Sequence, residues 1–234
     1  MSVSLVTLDK YSKVNPLDLL EGLEGYWKLD ETSGNAADSS GNSRTGTCGD
    51  IVYTASGKIS RCFGFTNSSS IVIVVSSIKP TTAASFSFWF KNTSNGSEQC
   101  FLSNSGYDSA WKGYRITIYD SGSLGIFLAD GNSSHLLDVS YSSGKNDGNW
   151  HHVLLTFNGS TVYVYLDGVK SSGWSWPYTI AYISGTNRLY FGNNGGSIKL
   201  NGTLDEIGIW DRALTDTEAA DLYNSGSGNT YPFS

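Results

Sequence analysis

The chain has 234 residues, with 27 Gly, only 4 Pro and a formal net charge of −6 at pH 7. No block of basic residues is present, and this argues against nucleic acid as a partner, because phosphate binding needs clustered positive charge. The longest apolar run, residues 71–75, is far too short to span a membrane, so we expect no membrane insertion.

The first predicted unit is an N-terminal arm, residues 1–22. SVSLVTLD is compatible with a strand, and Asn15 and Pro16 suit the cap and first position of one short helix. The opening residues lack the basic start and long apolar stretch of a signal peptide. Either a signal has been removed, or the protein leaves the cell without one, for example inside a virus particle. Because a recurrent apolar set should not stay in water, we expect the arm to dock on another chain.

The second predicted unit is one all-β domain, residues 23–234. From Gly25 onward apolar residues recur at every second position, as in YWKLDE, where Trp27 and Leu29 share a face, and in SFSFWF and YRITIY. Clusters rich in Gly, Ser and Asn separate roughly a dozen such segments. This pattern predicts short strands at the spacing of a sandwich or barrel.

The three cysteines, Cys48, Cys62 and Cys100, leave at least one thiol unpaired. Free buried thiols and a Cys48–Cys62 disulfide are both compatible with the sequence. The cysteines therefore indicate nothing about the compartment.

The segment GNWHHVLLTFNGSTVYVYLDG raises the question of a histidine site. His151 and His152 begin a strand and point to opposite faces, so they cannot chelate one ion together. Asn158-Gly159 predicts a two-residue hairpin turn, and Asp167-Gly168 predicts the next. We interpret both histidines as edge-of-core side chains that bond to backbone or tyrosine.

The chain ends with one predicted helix in LTDTEAADLYNSG. Thr215 and Glu218 form a capping box at its start. Gly226 is a plausible end of the helix.

Four stretches together resemble one family. DGNWHHVLLTFNGSTVYVYLDG is similar to the W-H-H-V-A…Y-x-N-G hairpin of laminin G-like (concanavalin A-like) jelly-roll domains. GYWKLDETSGNAADSSGNSRTGT resembles the family's opening strand and loop, SFSFWFK its central strand, and NGTLDEIGIWDRALTDTEAADLY its closing strand and helix. The resemblance covers about residues 23–225 and implies a jelly-roll sandwich of two antiparallel sheets. It implies no single function, since such domains serve as lectins, adhesion modules and enzyme scaffolds.

Asp205 is the most informative candidate for a metal ligand. In TLDEIGIWD it shares the parity of Ile207 and Ile209, which predicts a carboxylate on the core side of the strand, and such a group is costly unless paired or metal-bound. The resemblance implies a structural Ca²⁺ there, with Asp38 and Asn42 as further oxygen ligands. The alternative is that Asp205 caps turn amides and Asp38 makes an Asx-turn.

No catalytic residues are predicted. Sugar-cleaving enzymes of this fold carry the carboxylates of an E-x-D-x-x-E strand, and no such triplet occurs in the chain. No nucleophile elbow occurs either. A polysaccharide-active enzyme that uses His and Tyr is kept as a minor alternative.

Aromatic residues near the loops form the candidate ligand site. SGWSWPYTIAY places Trp174, Trp176, Tyr178 and Tyr182 at alternate positions, which predicts one strand face, and Trp111 lies in another loop. Exposed rings of this kind are stacking platforms for sugars. The alternatives are ordinary cross-strand packing and contact with another subunit.

The sequence thus predicts a non-catalytic recognition or adhesion module, extracellular or on a virion surface, that binds a surface glycan or polysaccharide. The competing hypothesis is an oligomeric capsid-decoration or fibre protein, such as a phage structural protein, whose arm and aromatic faces bind other subunits. An arm that precedes the jelly roll, in a chain that starts at its own Met without a signal, favours that competitor.

Overall fold

Two antiparallel sheets face each other in the computed structural model, which describes residues 18–74, 78–104, 111–182 and 188–233. Every strand pairing in these ranges is antiparallel. The predicted all-β jelly-roll sandwich with one short C-terminal helix is confirmed.

The larger sheet has nine strands and the smaller has seven. In chain order, the strands of the larger sheet are β1 (Leu23–Trp27), β3 (Val52–Thr54), β4 (Cys62–Phe65), β6 (Ala84–Asn92), β11 (His151–Phe157), β12 (Thr161–Leu166), β13 (Val169–Lys170), β14 (Trp174–Ser175) and β16 (Gly202–Trp210). Its order is β13-β12-β11-β6-β16-β4-β3, with β1 on β16 and β14 on β12.

The strands of the smaller sheet are β2 (Thr47–Gly49), β5 (Ser70–Val74), β7 (Gln99–Ser103), β8 (Lys112–Ile118), β9 (Leu124–Asp130), β10 (Leu137–Tyr141) and β15 (Arg188–Phe191). They run in the order β10-β9-β8-β7-β15-β5-β2. Short 3-10 turns lie at Asp18–Leu20, Ser133–His135 and Asn224–Gly226.

The main core lies between the sheets and is built from the alternating positions seen in the sequence. Phe86, Phe88 and Phe90 of β6 are fully buried there, opposite Tyr114 and Phe101 of the smaller sheet. Alternate residues of a strand point to one face, so period two alone places these rings inside. The face predictions for β6 and β8 are therefore confirmed.

A second apolar cluster covers the outer face of the larger sheet. Helix α1 (Asp216–Tyr223) and the C-terminal segment pack on it, and the cluster comprises Leu19, Tyr26, Leu154, Tyr165, Trp210, Leu214, Ala219, Leu222 and Phe233. Thr215 and Glu218 form the predicted capping box. The helix ends before the predicted Gly226, because Asn224 adopts the left-handed conformation at its C-cap.

The two predicted hairpin turns differ in the structure. Asp167 and Gly168 both have positive φ and join Leu166 directly to Val169, as a two-residue turn requires. The prediction of a two-residue turn at Asn158-Gly159 was wrong, because the last residue pair of that hairpin is Phe157 with Val162. The Asn158 side chain instead accepts the amides of residues 160 and 161 and stabilises a longer loop.

The first strand also ends earlier than predicted. β1 stops at Trp27, and Leu29 adopts a positive φ beyond it, although both side chains are buried in the main core.

The three cysteines are free thiols. None of the helices in the described ranges has the length and apolar character needed to cross a membrane.

The predicted arm is only partly described. Residues 1–17 lie outside the described ranges, so its docking on another chain stays a prediction. The described end packs on its own sandwich: Leu19 is fully buried in the outer cluster, and its carbonyl accepts the Trp210 Nε1–H at 2.8 Å. The Glu21 carbonyl likewise accepts from Arg212.

Candidate binding site

Trp111 stands at one end of the smaller sheet, at the mouth of the β8–β9 hairpin. β8 begins beside it, with Lys112 paired to Asp130, and the Trp111 carbonyl accepts the Gly131 amide at 2.7 Å. Of the seven tryptophans, all described, Trp111 alone is exposed, at 44%. Its φ of +50° is rare for a bulky residue, and such backbone strain is concentrated at functional sites.

The neighbouring turn, which starts at Asp130, supplies polar side chains. Asp130 accepts the Asn132 amide at 2.8 Å and pairs with His135 Nδ1 at 2.8 Å. Partial desolvation raises the pKa of Asp130, but the hydrogen bonds from His135 and Asn132 outweigh it, so the pKa is lowered. The carboxylate is therefore ionised at neutral pH. Asn132 is exposed and caps the short helix through Ser134.

Tyr178 and Trp176 pack against this turn and stabilise it. The rings of His135 and Tyr178 stack with centroids 4.0 Å apart and planes within 9°. Trp176 is 2% exposed, and its Nε1–H donates to the His135 carbonyl at 2.6 Å. Trp176 therefore supports the loop, and no face of its ring is free for a ligand.

The predicted single strand face of 174–182 is wrong. Only Trp174 and Ser175 are in a strand, and the rest crosses the end of the sandwich without regular pairing. Trp174 is half-buried, edge-to-face with Tyr141 at 5.9 Å. Tyr182 donates to the Pro80 carbonyl at 2.7 Å. Pro177 follows Trp176, and this segment packs its aromatics on the main core instead of presenting them.

The structure thus brings three of the four predicted ligand-binding residues, Trp111, Trp176 and Tyr178, to the same end of the sandwich, although Trp176 is buried there. We call Trp111, Asp130, Asn132, His135 and Tyr178 the Trp111 site. Sequence reasoning missed Asp130, Asn132 and His135, although Asp130-Gly131-Asn132 is a turn signal that places polar side chains at a strand end. The ligand-binding roles themselves stay predictions.

Asp38, the first predicted calcium ligand, organises its own loop. Its Oδ1 accepts the amides of Tyr26 and Ser40 and the Ser40 hydroxyl, and its Oδ2 accepts the Arg44 amide at 2.9 Å. Asn42 donates to the carbonyls of residues 23 and 24. These contacts match the Asx-turn alternative and use the Asp38 oxygens without a metal.

Asp205 lies on the opposite face from the one predicted. A β-bulge separates Asp205, paired with Trp89, from Gly208, paired with Ser87. The extra residue, Glu206, has a φ of +50°. Because a bulge inserts one residue into the period, Asp205 shares the outer face with Trp89, while Ile207 and Ile209 remain in the main core. The parity prediction was wrong for this reason.

The two carboxylates at the bulge are buried. Asp205 is fully buried, and its Oδ2 accepts the amides of Lys58 and Ile59 at 2.8 and 3.0 Å. Glu206 accepts from the Tyr26 hydroxyl at 2.6 Å and from Thr230 at 2.8 Å. Burial raises the pKa of Asp205 to about 9 and that of Glu206 to about 7.

The predicted calcium set is not assembled as one cluster. The described part of the chain holds no group of three or more His, Cys, Asp or Glu side chains placed to hold a metal ion. Asp38 and Asp205 instead accept hydrogen bonds from different loops. A calcium requirement therefore stays a prediction, for which the free Asp205 Oδ1 is the remaining candidate ligand atom.

The two histidines point to opposite faces, as predicted. His151 bonds through Nδ1 to Asp167 at 2.8 Å and through Nε2 to Asp147 at 3.1 Å. His152 bonds to the Ser87 hydroxyl at 2.9 Å and packs against Trp89. Their partners are thus acidic and hydroxyl side chains, and the expected backbone or tyrosine partners were wrong.

The Ser87–His152 pair is not a nucleophile and base in an open site. Ser87 is 3% exposed and His152 is 1% exposed. Burial lowers the pKa of His152 to about 3, so the imidazole is neutral at neutral pH. Because a substrate has no path to these atoms, the pair serves as a hydrogen bond between β6 and β11.

Three solved structures share the fold of this chain. The binding domain of Paraclostridial Mosquitocidal Protein 1 has a TM-score of 0.70 and 20% identity, over 89% of this chain and 53% of that one. Domain 4 of AbnA, an arabinanase from Geobacillus stearothermophilus in complex with arabinotriose, has a TM-score of 0.66 and 20% identity, over 88% and 98%. The binding domain of Botulinum Neurotoxin DC in complex with SialylT has a TM-score of 0.67 and 15% identity, over 88% and 52%.

This chain therefore spans about half the length of the toxin binding domains and nearly the whole of the arabinanase domain. At these identities the likeness shows the fold alone. No curated protein matches the sequence. The family profile of the concanavalin A-like lectin/glucanases superfamily matches residues 65–220, more than half of the chain. The chain belongs to that superfamily, as a laminin G-like jelly-roll domain.

Proposed function

We propose that this protein is a non-catalytic binding module for a neutral surface glycan, which stacks on Trp111. The observation that carries the proposal is the exposed Trp111, whose backbone carbonyl bonds to the turn that carries the polar side chains of Asp130 and Asn132. Recognition sites combine an apolar surface with a few fixed polar groups. Trp111 supplies the apolar face, and Asn132 and Asp130 supply an amide and a carboxylate for sugar hydroxyls.

The neighbouring turn is rigid enough to orient a ligand. The stack of His135 on Tyr178 and the Trp176 hydrogen bond fix the residues beside Asn132. Because preorganised side chains lose little conformational freedom on binding, such support favours affinity. The ionised Asp130 and the net charge of −6 disfavour anionic sugars, which is why a neutral glycan is proposed.

The comparisons support the same class of function. Domain 4 of AbnA was solved with arabinotriose, and a botulinum binding domain was solved with SialylT. Both ligands are those of the other proteins. An extracellular location follows from this proposal, since surface glycans lie outside the cell.

A glycan array with the full chain tests the proposal, with arabinotriose and sialylated glycans among the probes. We expect binding to neutral glycans, and Trp111→Ala should weaken it by about tenfold or more, which corresponds to about 1.4 kcal/mol. Trp111→Phe should restore part of the loss because it keeps an aromatic face.

Val169→Ala is the matched control, since Val169 is also exposed, at 64%, on the edge strand β13 of the other sheet. It should bind like the wild type. Unchanged binding by Trp111→Ala, or binding confined to sialylated probes, contradicts the proposal.

A further inference from the structure

Three loops come together at the end of the sandwich opposite Trp111. β8 starts beside Trp111 and ends with Ile118, which pairs with Gln99, the first residue of β7. The loop between β6 and β7 therefore lies at this far end. Gly202, the first residue of β16, pairs there with the last residues of both β6 and β4. The loops that follow β4, β6 and β15 thus meet at one place.

These loops surround a polar cavity of about 400 Å³, which we call the far-end cavity. Six residues line it: Asn67, Asn95, Ser97, Glu98, Ser197 and Lys199. Its volume lies in the range of small-molecule sites, about 300–1,000 Å³. Every lining side chain is polar or charged and none is aromatic. A ligand would therefore be held here by hydrogen bonds and not by stacking.

Hydrogen bonds within and between the loops fix the frame of the far-end cavity. Gln99 donates to the Thr93 carbonyl and accepts the Asn201 amide, both at 2.9 Å, and so ties the β6–β7 loop to the β15–β16 loop. Asn194 accepts two amides of its own loop, at 3.0 and 3.1 Å. Because these bonds already hold the backbone, little ordering of the loops is needed when a ligand binds.

The side chains that line the far-end cavity are accessible. Asn67, Asn95, Ser97 and Ser197 are exposed, and Glu98 and Lys199 are half-buried. The Asn95 Oδ1 accepts the Ser97 amide at 3.1 Å. Its Nδ2 bonds to none of the residues that the structure describes, and neither do the side chains of Asn67, Ser97 and Ser197. These groups are thus open to solvent and can exchange water for a ligand.

The two charged groups of the far-end cavity are not paired with each other. Glu98 lies 3.8 Å from the Arg115 guanidinium, whereas the Lys199 ammonium forms no ion pair within the described ranges. Glu98 would repel an anionic ligand, and Lys199 would repel a cationic one. The electrostatics therefore favour an uncharged ligand that both donates and accepts hydrogen bonds.

We propose that the far-end cavity is a second saccharide site, which binds the hydroxyls of one or two neutral sugar units. A sugar hydroxyl donates and accepts, as do the carboxamides and serine hydroxyls of the cavity, while Lys199 can only donate and the Glu98 carboxylate can only accept. This inference does not rest on the Trp111 proposal, because the two sites share no residue and lie at opposite ends.

The test follows the backbone ¹⁵N–¹H signals of residues 95–98 and 195–199 by NMR in the full chain. D-glucose, D-galactose and L-arabinose are the probes. D-glucuronate, D-glucosamine and glycine are the anionic, cationic and zwitterionic controls. We expect at least one neutral sugar to shift signals in both loops saturably, and the three charged controls to bind more weakly than that sugar.

Lys199→Ala should weaken the response to that sugar by about tenfold, because it removes a charged donor. Lys79→Ala is the matched control, since Lys79 is a half-buried lysine that precedes β6 at the Trp111 end. It should leave the response unchanged. Equal responses of the two variants would show that the sugar does not contact Lys199 and would overturn the proposed site.

The same titration in Trp111→Ala separates the two proposals. The response of the two loops should persist there, whether or not glycan-array binding is lost. The proposal fails if no neutral sugar gives a saturable shift, or if a charged control binds as tightly as the sugars. Loss of the response in Trp111→Ala would also overturn it, because the far-end cavity would then not be a separate site.

Discussion

The outer face of the larger sheet and the Trp111 end differ in how far their aromatic side chains are exposed to solvent. On the outer face, helix α1 and the C-terminal segment cover Tyr26 and Trp210 completely, and the Trp210 Nε1–H is bonded to the arm. At the Trp111 end, a residue of the same type, Trp111, remains 44% exposed, and its backbone bonds to the turn that carries the exposed Asn132.

The difference teaches which substitutions should affect folding and which should affect recognition. Removal of a buried ring leaves a cavity in the protein, whereas water fills the space when an exposed ring is removed. Residues of the covered face should therefore control the free energy of unfolding, and residues of the Trp111 end should control binding with little change in stability.

The largest effect is expected from Trp210→Ala. Trp210 is fully buried and packs near Phe233, with ring centroids 6.4 Å apart. Its loss should lower the free energy of unfolding by about 3–5 kcal/mol, as measured by urea denaturation. The exposed Val169→Ala is the control and should stay near the wild type. A loss below about 1 kcal/mol would mean that the covered face is not a packed layer.

The adjacent histidines of β11 should differ in how much each contributes to the free energy of unfolding. His152→Ala should cost about 2–4 kcal/mol, because it opens a cavity beside Trp89 and strands the Ser87 hydroxyl. His151→Ala should cost about 1–2 kcal/mol, because its partner Asp147 is at the surface and Asp167 keeps its contact with Lys145. Equal losses in urea denaturation would contradict this ranking.

The two histidines should also respond to pH with opposite signs. The hydrogen bond that His151 donates to the Asp167 carboxylate outweighs partial desolvation and raises the pKa of His151. The stability that His151 contributes is therefore present at acidic pH and lost as pH rises through the raised pKa. Burial lowers the pKa of His152 to about 3. The unfolded chain then binds a proton that the folded chain does not, so stability is lost as pH falls below about 6.5.

Unfolding free energies from about pH 4 to pH 8 check this for His151→Gln and His152→Gln. The destabilisation by His151→Gln should shrink as pH rises, and that by His152→Gln should shrink as pH falls. Curves for both variants that run parallel to the wild-type curve would show that neither histidine changes its pKa on folding.

Much of the fold could be predicted because the signals are local or periodic. Asp167-Gly168 is sufficient for its turn, Thr215 and Glu218 for the helix start, and period two for the buried face of β6. The bulge at Glu206 could not be predicted in this way. It depends on how β16 pairs with β6, and one extra residue moved Asp205 to the other face.

The candidate site was predictable only in part for a related reason. The alternating positions of Trp174 and Trp176 in the sequence suggest an exposed strand face. Their burial depends on the path of segment 174–182 across the end of the sandwich.

A smaller effect is expected from removing calcium, if calcium is bound at Asp205. EDTA should then lower the melting temperature and added Ca²⁺ should restore it, because an ion that binds only the folded chain stabilises it by mass action. Asp205→Asn should remove this dependence. A melting temperature that EDTA leaves unchanged would reject calcium and leave Asp205 as a cap of the Lys58 and Ile59 amides.

The smallest effect on stability is expected from Trp111→Ala. Its exposed ring leaves little apolar surface to uncover, and its backbone hydrogen bond to Gly131 does not involve the side chain. The free energy of unfolding should therefore change by no more than about 0.5 kcal/mol, while glycan binding falls. Trp111→Gly should be as stable as Trp111→Ala or slightly more stable, because glycine adopts the φ of +50° without backbone strain. A loss of more than about 1 kcal/mol in Trp111→Ala would show that the ring packs against the sandwich. The Trp111 end would then be a second covered face, and its weakened binding could no longer be assigned to a lost contact with the glycan.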